Sequence, residues 1–198
     1  SNVLRNIYTQ PEQFTIAGFA QLRKSISNNF MYDLGLRYDN RKVTGGEGYS
    51  VKSFKAFSPK LSLFYKLSSR STSYISFNQG FRAPSISELF LEYESSYGLL
   101  LQGNPTLKAE SLINIEAGIK HQREENFSIF SNIFLNRYTD MIDFIYTIPV
   151  RSINREVVNG LGFEFGSNIE IVPTGSNVNF TYSYLNMENI NSVVPLLY

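Results

Sequence analysis

Residues 161–171 read Leu-Gly-Phe-Glu-Phe-Gly-Ser-Asn-Ile-Glu-Ile, which is the strongest alternation of apolar and polar residues in the chain. Its apolar positions are Leu161, Phe163, Phe165, Ile169 and Ile171, and its polar or small positions are Gly162, Glu164, Gly166, Asn168 and Glu170. Because successive side chains of a strand point to opposite faces, a period of two predicts a β-strand with one apolar and one polar face.

The same period recurs on both sides of this stretch, and the chain contains eight segments of this kind. We predict strands at about 15–26, 30–43, 57–66, 73–82, 113–120, 127–144, 161–171 and 177–187. Short turns fall near residues 28, 70, 125 and 175, whereas longer connections fall near 48, 95 and 150. The turns near 28, 70 and 175 contain Ser, Asn or Gly, and the one near 125 is Arg123-Glu124-Glu125-Asn126. The longest connection covers 83–110, and a second long one covers roughly 145–156. The fold class predicted is all-β, an antiparallel up-and-down meander of about eight long strands.

Composition excludes several classes of protein. With 18 Lys and Arg against 17 Asp and Glu, the net charge of +1 gives no reason to expect a nucleic-acid partner. The absence of cysteine removes disulfides, thiolate metal sites and cysteine nucleophiles. No run approaches the ~18 consecutive apolar residues of a membrane helix, so any membrane contact would be made by strands.

Strand length and the pairing of short turns with long loops favour a transmembrane β-barrel. Such barrels need strands of ~9–11 residues with one apolar face, short turns at one end and long loops at the other. The polar faces combine glycine and charge, as in Gly35 with Arg37 and Gly118 with Lys120, which suits a hydrated lumen. Two alternatives show the same alternation of apolar and polar residues. One is a soluble β-sandwich that acts as a binding module, and the other is a complete eight-stranded membrane barrel with a structural or adhesive role, which requires nothing beyond this alternation.

The barrel interpretation assigns each face of the last hairpin to an environment. We expect the lipid-facing set to be Leu161, Phe163, Phe165, Phe180 and Tyr182, and the set facing the lumen to be Glu164, Asn168, Asn179 and Thr181.

Two motifs flank the longest connection. Gly80-Phe81-Arg82-Ala83-Pro84 ends the fourth strand, and Asn104-Pro105-Thr106-Leu107-Lys108-Ala109-Glu110 opens the fifth, with Ser87-Glu88-Leu89-Phe90 between them. In this order they resemble the mid-barrel region of TonB-dependent outer-membrane receptors. Further matching pieces are Phe57-Ser58-Pro59-Lys60, the spaced set Asn136, Tyr138, Asp140 and Ile142, and the spaced set Asn159, Gly160, Gly162 and Glu164.

The resemblance implies that residues 1–198 form the middle part of a 22-stranded β-barrel in the bacterial outer membrane. It implies uptake of a metal chelate, such as an iron–siderophore, haem or cobalamin, driven by TonB through a plug domain. We see neither a plug domain nor a TonB-coupling motif, and we therefore expect an incomplete barrel. The partners implied are outer-membrane lipid, TonB and the metal-chelate ligand.

The motif residues are candidates for shaping the loop. Pro84 restricts φ and biases Ala83 away from helix, and Asn104-Pro105 favours a turn. The structural set is Gly80, Phe81, Arg82, Ala83, Pro84, Asn104, Pro105, Leu107 and Glu110. Candidate ligand contacts are Arg82, Tyr93, Tyr97 and Asn104, because tyrosine combines a broad apolar ring with a polar tip that suits an amphipathic chelate.

We predict no catalytic residue, no metal site, no cofactor and no enzyme activity. A haem receptor resembling this family would carry a histidine between the two motifs, and none is there. The one histidine, His121, falls beside a tight turn at the opposite end of the strands.

Overall fold

A computed structural model describes residues 11–45, 50–95, 98–171 and 174–190. It contains one short helix and ten strands, which form one sheet. The elements are β1 (Glu12–Ser25), β2 (Phe30–Thr44), β3 (Lys52–Lys66), β4 (Ser71–Arg82), α1 (Ile86–Phe90), β5 (Glu92–Ser95), β6 (Gly98–Gln102), β7 (Glu110–Glu124), β8 (Phe127–Ile145), β9 (Val150–Ile171) and β10 (Ser176–Asn189). No helix in these ranges is long and apolar enough to cross a membrane.

The predicted meander is confirmed. The eight long strands pair antiparallel, each with its neighbour along the chain once the small β5–β6 hairpin is set aside, and the sheet curls into a half-barrel. At its two ends, the described part of β1 pairs with β2 alone and that of β10 with β9 alone. The described strands therefore form an open sheet, which disfavours both a closed eight-stranded barrel and a two-sheet sandwich.

The predicted connection at 145–156 is wrong. β8 continues to Ile145 and β9 begins at Val150, so four residues join them. The two strands stay paired throughout this region, from Met141 opposite Arg155 to Ile145 opposite Arg151. Alternation is lost here because polar side chains of β9 bond to other parts of the structure: Asn154 to the backbone of Lys108 in the β4–β7 connection, and Arg155 to Asp143 of β8.

The long connection between β4 and β7 is confirmed as a break in the meander, but it is not irregular. It holds α1 and the β5–β6 hairpin, whose second strand lies parallel to β9 with Leu101 opposite Val150. Four- and five-residue elements are too short to show a period in the sequence.

Alternate residues of each strand define two faces of the sheet. On β8 the outer-face residues Ile129, Ile133 and Leu135 are exposed, whereas Asn132 on the inner face is half-buried. The structure confirms that the members of each predicted set of the last hairpin share one face of the sheet. On one face Phe163 and Phe165 contact Tyr182 and Tyr184. On the other face Ser183 hydrogen-bonds Glu164.

Aromatic rings on the inner face explain why β8 alternates poorly in the sequence. Phe130 lies opposite Gly166, and a Cβ on that glycine would come within 2.7 Å of the ring. Phe134 covers Gly162 in the same way, and Tyr74 covers Gly118. The glycines of the polar face thus make room for rings from the adjacent strand, as in the aromatic covering of strand glycines.

The buried apolar core lies where the β4–β7 connection folds onto the inner face. Its members are Val43, Leu89, Phe90, Leu107 and Ile142, with Phe54 and Ile86 against them. Leu89 and Phe90 belong to α1, so the helix closes over strands β2, β3 and β8 at the end of the sheet that carries the long connections.

Candidate functional site

The helix α1 begins with a complete capping box. The side chain of Ser85 accepts a hydrogen bond from the backbone N–H of Glu88 at 3.1 Å, and the Glu88 carboxylate accepts one from the Ser85 N–H at 2.7 Å. Pro84 and Ala83 are buried immediately before it. Two of the backbone donors that a helix start leaves unpaired are therefore satisfied, which stabilises a helix of only five residues.

Arg82 joins four elements at this point. Its Nη1 lies 3.0 Å from Oε1 of Glu88, and its Nη2 lies 3.4 Å from both Oε2 of Glu110 and the carbonyl oxygen of Ile142. Glu110 in turn accepts a hydrogen bond from the Ile142 N–H at 2.9 Å. The guanidinium thus connects the end of β4 to α1, β7 and β8.

The charge on Glu88 is maintained by these contacts. Burial alone would raise its pKa, but the hydrogen bonds from the Ser85 N–H and from Arg82 outweigh burial and hold the pKa below the usual value. Glu88 is therefore ionised at neutral pH and remains a partner for Arg82.

Asn104 makes hydrogen bonds that hold the C-terminal end of the β4–β7 connection in place. Its Nδ2 donates to the carbonyl of Ser152 at 2.9 Å, and its Oδ1 accepts from the N–H of Thr106 at 3.0 Å. Its backbone N–H donates to the carbonyl of Glu88 at 2.8 Å. The structure thus places both Arg82 and Asn104 among contacts that hold the loop together.

Gly103 lies directly against α1. A Cβ at this position would come within 2.7 Å of the Leu89 carbonyl oxygen and of the Phe90 nitrogen. Because those atoms are backbone, they cannot move aside, and only glycine allows this close approach.

Two further residues of this region, Asn154 and Arg155, were not predicted from the sequence. Asn154 Nδ2 donates to the Asp140 carbonyl at 2.7 Å, and Asn154 Oδ1 accepts from the Lys108 N–H at 2.9 Å. Arg155 is almost fully buried and its Nε lies 2.5 Å from Oδ2 of Asp143. The signal for them was the charged and amide-rich stretch 151–156, which was interpreted as a loop.

The two tyrosine candidates lie in the β5–β6 hairpin. Tyr93 is half-buried in β5 opposite Leu101. Tyr97 lies outside the described residues. Arg82 and Asn104 therefore make contacts that hold the β4–β7 connection together, and Tyr93 lies in the β5–β6 hairpin of the same connection.

Below the loop, polar side chains form a hydrogen-bonded wall across the inner face. Asn78, Asn114 and Asn136 are linked in series at 3.2 and 2.8 Å. Tyr74 donates to Glu116, which also accepts from Asn132 at 2.8 Å. This wall can face water or a polar cargo. In the described ranges no group of three or more His, Cys, Asp or Glu could hold a metal ion.

Comparison with known proteins gives a consistent result. A family model described as "TonB dependent receptor-like, beta-barrel" matches residues 1–195. Lactoferrin-binding protein A of Neisseria meningitidis serogroup B is 35% identical over 132 residues, which cover 61% of this chain and 13% of that protein. The ferrienterobactin receptor of Escherichia coli K12 is 28% identical over 130 residues, covering 61% of this chain and 16% of the receptor.

The fold is shared with solved structures. The FrpB iron transporter of Neisseria meningitidis (F3-3 variant) superposes with a TM-score of 0.64 at 18% identity, over 89% of this chain and 25% of that one. The chain thus spans between 13 and 16% of the length of the two curated relatives.

Proposed function

Because this chain belongs to the TonB-dependent receptor family of outer-membrane β-barrels, we propose that it supplies adjoining strands to the barrel of a receptor that imports a metal chelate. The observation that carries the proposal is the family match over residues 1–195, combined with a folded loop above a polar inner wall. The two curated relatives are a lactoferrin-binding protein and a receptor. The proposed activity is transport without covalent chemistry.

The cargo we propose is an iron–siderophore or a related chelate. The names of two matched proteins, a ferrienterobactin receptor and an iron transporter, support iron as the metal. Tyr93 and Tyr97 would contact the chelate through ring faces and hydroxyl groups, since tyrosine suits an amphipathic ligand. Arg82 and Asn104 would act on the cargo indirectly, by holding the loop that carries the tyrosines.

Transport would be driven by TonB through a plug domain of the complete receptor. The open inner face, lined by Asn78, Asn114 and Asn136, provides donors and acceptors for such a polar domain or for hydrated cargo. Iron acts here as cargo and not as a resident cofactor.

Deletion of the full-length gene tests the proposal. The parent organism would be grown under iron limitation with single iron chelates, and uptake of radioactive iron would be measured for each one. We expect the deletion strain to lose uptake of one chelate class. The wild-type gene should restore this uptake, and a gene that carries Tyr93→Ala should restore less of it. An unchanged uptake profile across all chelates would contradict the proposal.

A further inference from the structure

A cleft lies between α1 and the part of the β8–β9 hairpin that extends above the rest of the sheet. Ile142 of β8 belongs to the buried core together with Leu89 and Phe90 of α1. Because alternate residues of a strand share a face, Phe144 lies on the same inner face as Ile142, and it is paired with Ser152 of β9. The helix forms one wall of the cleft, and the inner face of β6, β8 and β9 forms the other.

Most of the side chains that form the walls are apolar. The cleft has a volume of about 360 Å³, and its apolar lining residues are Leu91, Leu101, Phe144 and Val150. Ser87 of α1 and Gln102 of β6 add a hydroxyl and an amide. Apolar walls with a few polar groups are typical of small-molecule sites, which measure about 300–1,000 Å³. This cleft is at the small end of that range, so it has room for one group of a ligand and not for a whole metal chelate.

Hydrogen bonds between the two walls hold the cleft open in one shape. The N–H of Gly103 donates to the carbonyl of Leu91 at 2.6 Å, and the N–H of Asn104 donates to the carbonyl of Glu88 at 2.8 Å. The Asn104 side chain continues to the carbonyl of Ser152 in β9 at 2.9 Å. The end of α1 is therefore joined to both β6 and β9, and a ligand would meet a cleft that is already formed.

The charges around the cleft are balanced. Each carboxylate has a cation at hand: Glu88 is paired with Arg82, Asp143 with Arg155, and Glu92 lies in one cross-strand row with Arg151, about 10 Å away with Gln102 between them. No excess of either sign is left to attract a charged group. An uncharged group therefore fits the cleft better than a carboxylate or an ammonium group does.

Aromatic side chains favour a ring over an alkyl group of the same size. Phe144 is 44% exposed, so part of its ring is free to contact a ligand. Tyr93 lies opposite Leu101, and Leu101 lies opposite Val150, so the row that lines the cleft continues to Tyr93. Aromatic rings attract each other in offset or tilted arrangements by more than their buried area accounts for.

We propose that this cleft receives one uncharged aromatic ring of the imported chelate, and that Phe144 is the residue that selects an aryl group over an alkyl group. The ring enters between α1 and Phe144, while Tyr93 lies on the side from which the remainder of the chelate approaches. The inference rests on the proposed transport of a metal chelate, and it narrows the cargo to chelates that carry an aryl substituent.

The test places one thiol at the edge of the cleft in the full-length receptor. This chain contains no cysteine, and Ser87→Cys introduces one on the exposed side of α1. The variant is equilibrated with equal amounts of 2-phenylethanethiol and 2-cyclohexylethanethiol under disulfide exchange, and mass spectrometry of the peptide that contains position 87 gives the ratio of the two adducts. We expect the phenyl adduct to exceed the cyclohexyl adduct about fivefold. Lys108→Cys, at an exposed position of the same connection, is the matched control and should give nearly equal adducts.

Second substitutions test the role of Phe144. Phe144→Ala in the Ser87→Cys receptor should reduce the ratio to that of the control. Tyr146→Ala, which removes a ring that is 70% exposed on the same hairpin, should leave the ratio unchanged. Equal adducts at position 87, the same preference at position 108, or a preference that survives Phe144→Ala would each overturn the proposal.

Uptake assays connect the cleft to the cargo. Phe144→Ala should lower uptake of iron chelates that carry an aryl group and leave uptake of chelates without one unchanged. Equal uptake of aryl chelates by this variant and by wild type would show that the ring of the cargo does not use the cleft. The adduct ratio is measured without iron or transport, so failure of the cleft is distinguishable from failure of the transport function.

Discussion

The Nη1 atom of Arg82 lies 3.0 Å from Oε1 of Glu88, and this ion pair joins the last residue of strand β4 to the helix that folds over the inner face. The Arg82 side chain is 44% exposed and that of Glu88 is 12% exposed. The pair is therefore neither fully solvated nor fully buried, and its strength depends on the capping box and on Glu110 beside it.

Replacement of Arg82 by Gln should loosen α1 without unfolding the barrel. The change leaves Glu88 and Glu110 without their shared cation, and we expect a cost of about 1 kcal/mol because solvent screens the exposed guanidinium. Hydrogen exchange of residues 86–90 in the full-length receptor should accelerate several-fold. Lys108→Gln, which removes a cation that is 72% exposed, serves as the control and should leave this exchange unchanged.

Loop opening should depend on pH through Glu88. The folded form holds the pKa of Glu88 below its ordinary value of 4.5. A carboxyl group with a lowered folded pKa stabilises the fold above the unfolded pKa, and this contribution is lost as the pH falls through the folded value. The protection factors of residues 86–90, which are exchange rates corrected for the intrinsic pH dependence of amide exchange, should therefore fall as the pH drops below 4.5. In Glu88→Gln the exchange should already be fast at neutral pH, and a pH response identical to wild type in that variant would contradict the assignment.

Gly103→Ala should displace α1 from the loop core. The added methyl group would lie 2.7 Å from the backbone of Leu89 and Phe90, an overlap of the kind that costs about 1–3 kcal/mol or more. Limited proteolysis should cut the 83–109 segment faster in this variant. Gly80→Ala is the matched control, because its Cβ would meet nothing within 4 Å, and equal sensitivity of the two variants would count against the close contact.

The two faces of the β9–β10 hairpin should respond oppositely to arginine. Phe163 lies on the exposed apolar face with its ring 6.0 Å from Tyr182, whereas Thr181 lies opposite Gly166 on the polar face. An arginine facing lipid at mid-membrane costs about 2–4 kcal/mol. Phe163→Arg in the full-length receptor should reduce the heat-modifiable folded fraction in the outer membrane, and Thr181→Arg should not. If both variants fold equally well, the apolar face does not meet lipid.

The sequence alone determined the strands and their faces. A period of two in residues such as 161–171 depends only on the geometry of an extended backbone, so the eight long strands, their short turns and the shared face of Phe163 and Tyr182 could all be predicted. The break between Arg82 and Glu110 was also visible, because proline and asparagine act locally at its two ends.

Only the tertiary structure decided how the upper end of the sheet is built. Arg82 meets Glu110 and Ile142, which lie 28 and 60 residues away along the chain, and no local pattern encodes such contacts. The tight join between β8 and β9, the helix α1 and the rings of Phe130 and Phe134 over facing glycines depend in the same way on the register between strands. A contact between two strands depends on which residues the register places opposite each other, so it cannot be predicted from either strand alone. Alternation, in contrast, can be seen in the sequence of a single strand.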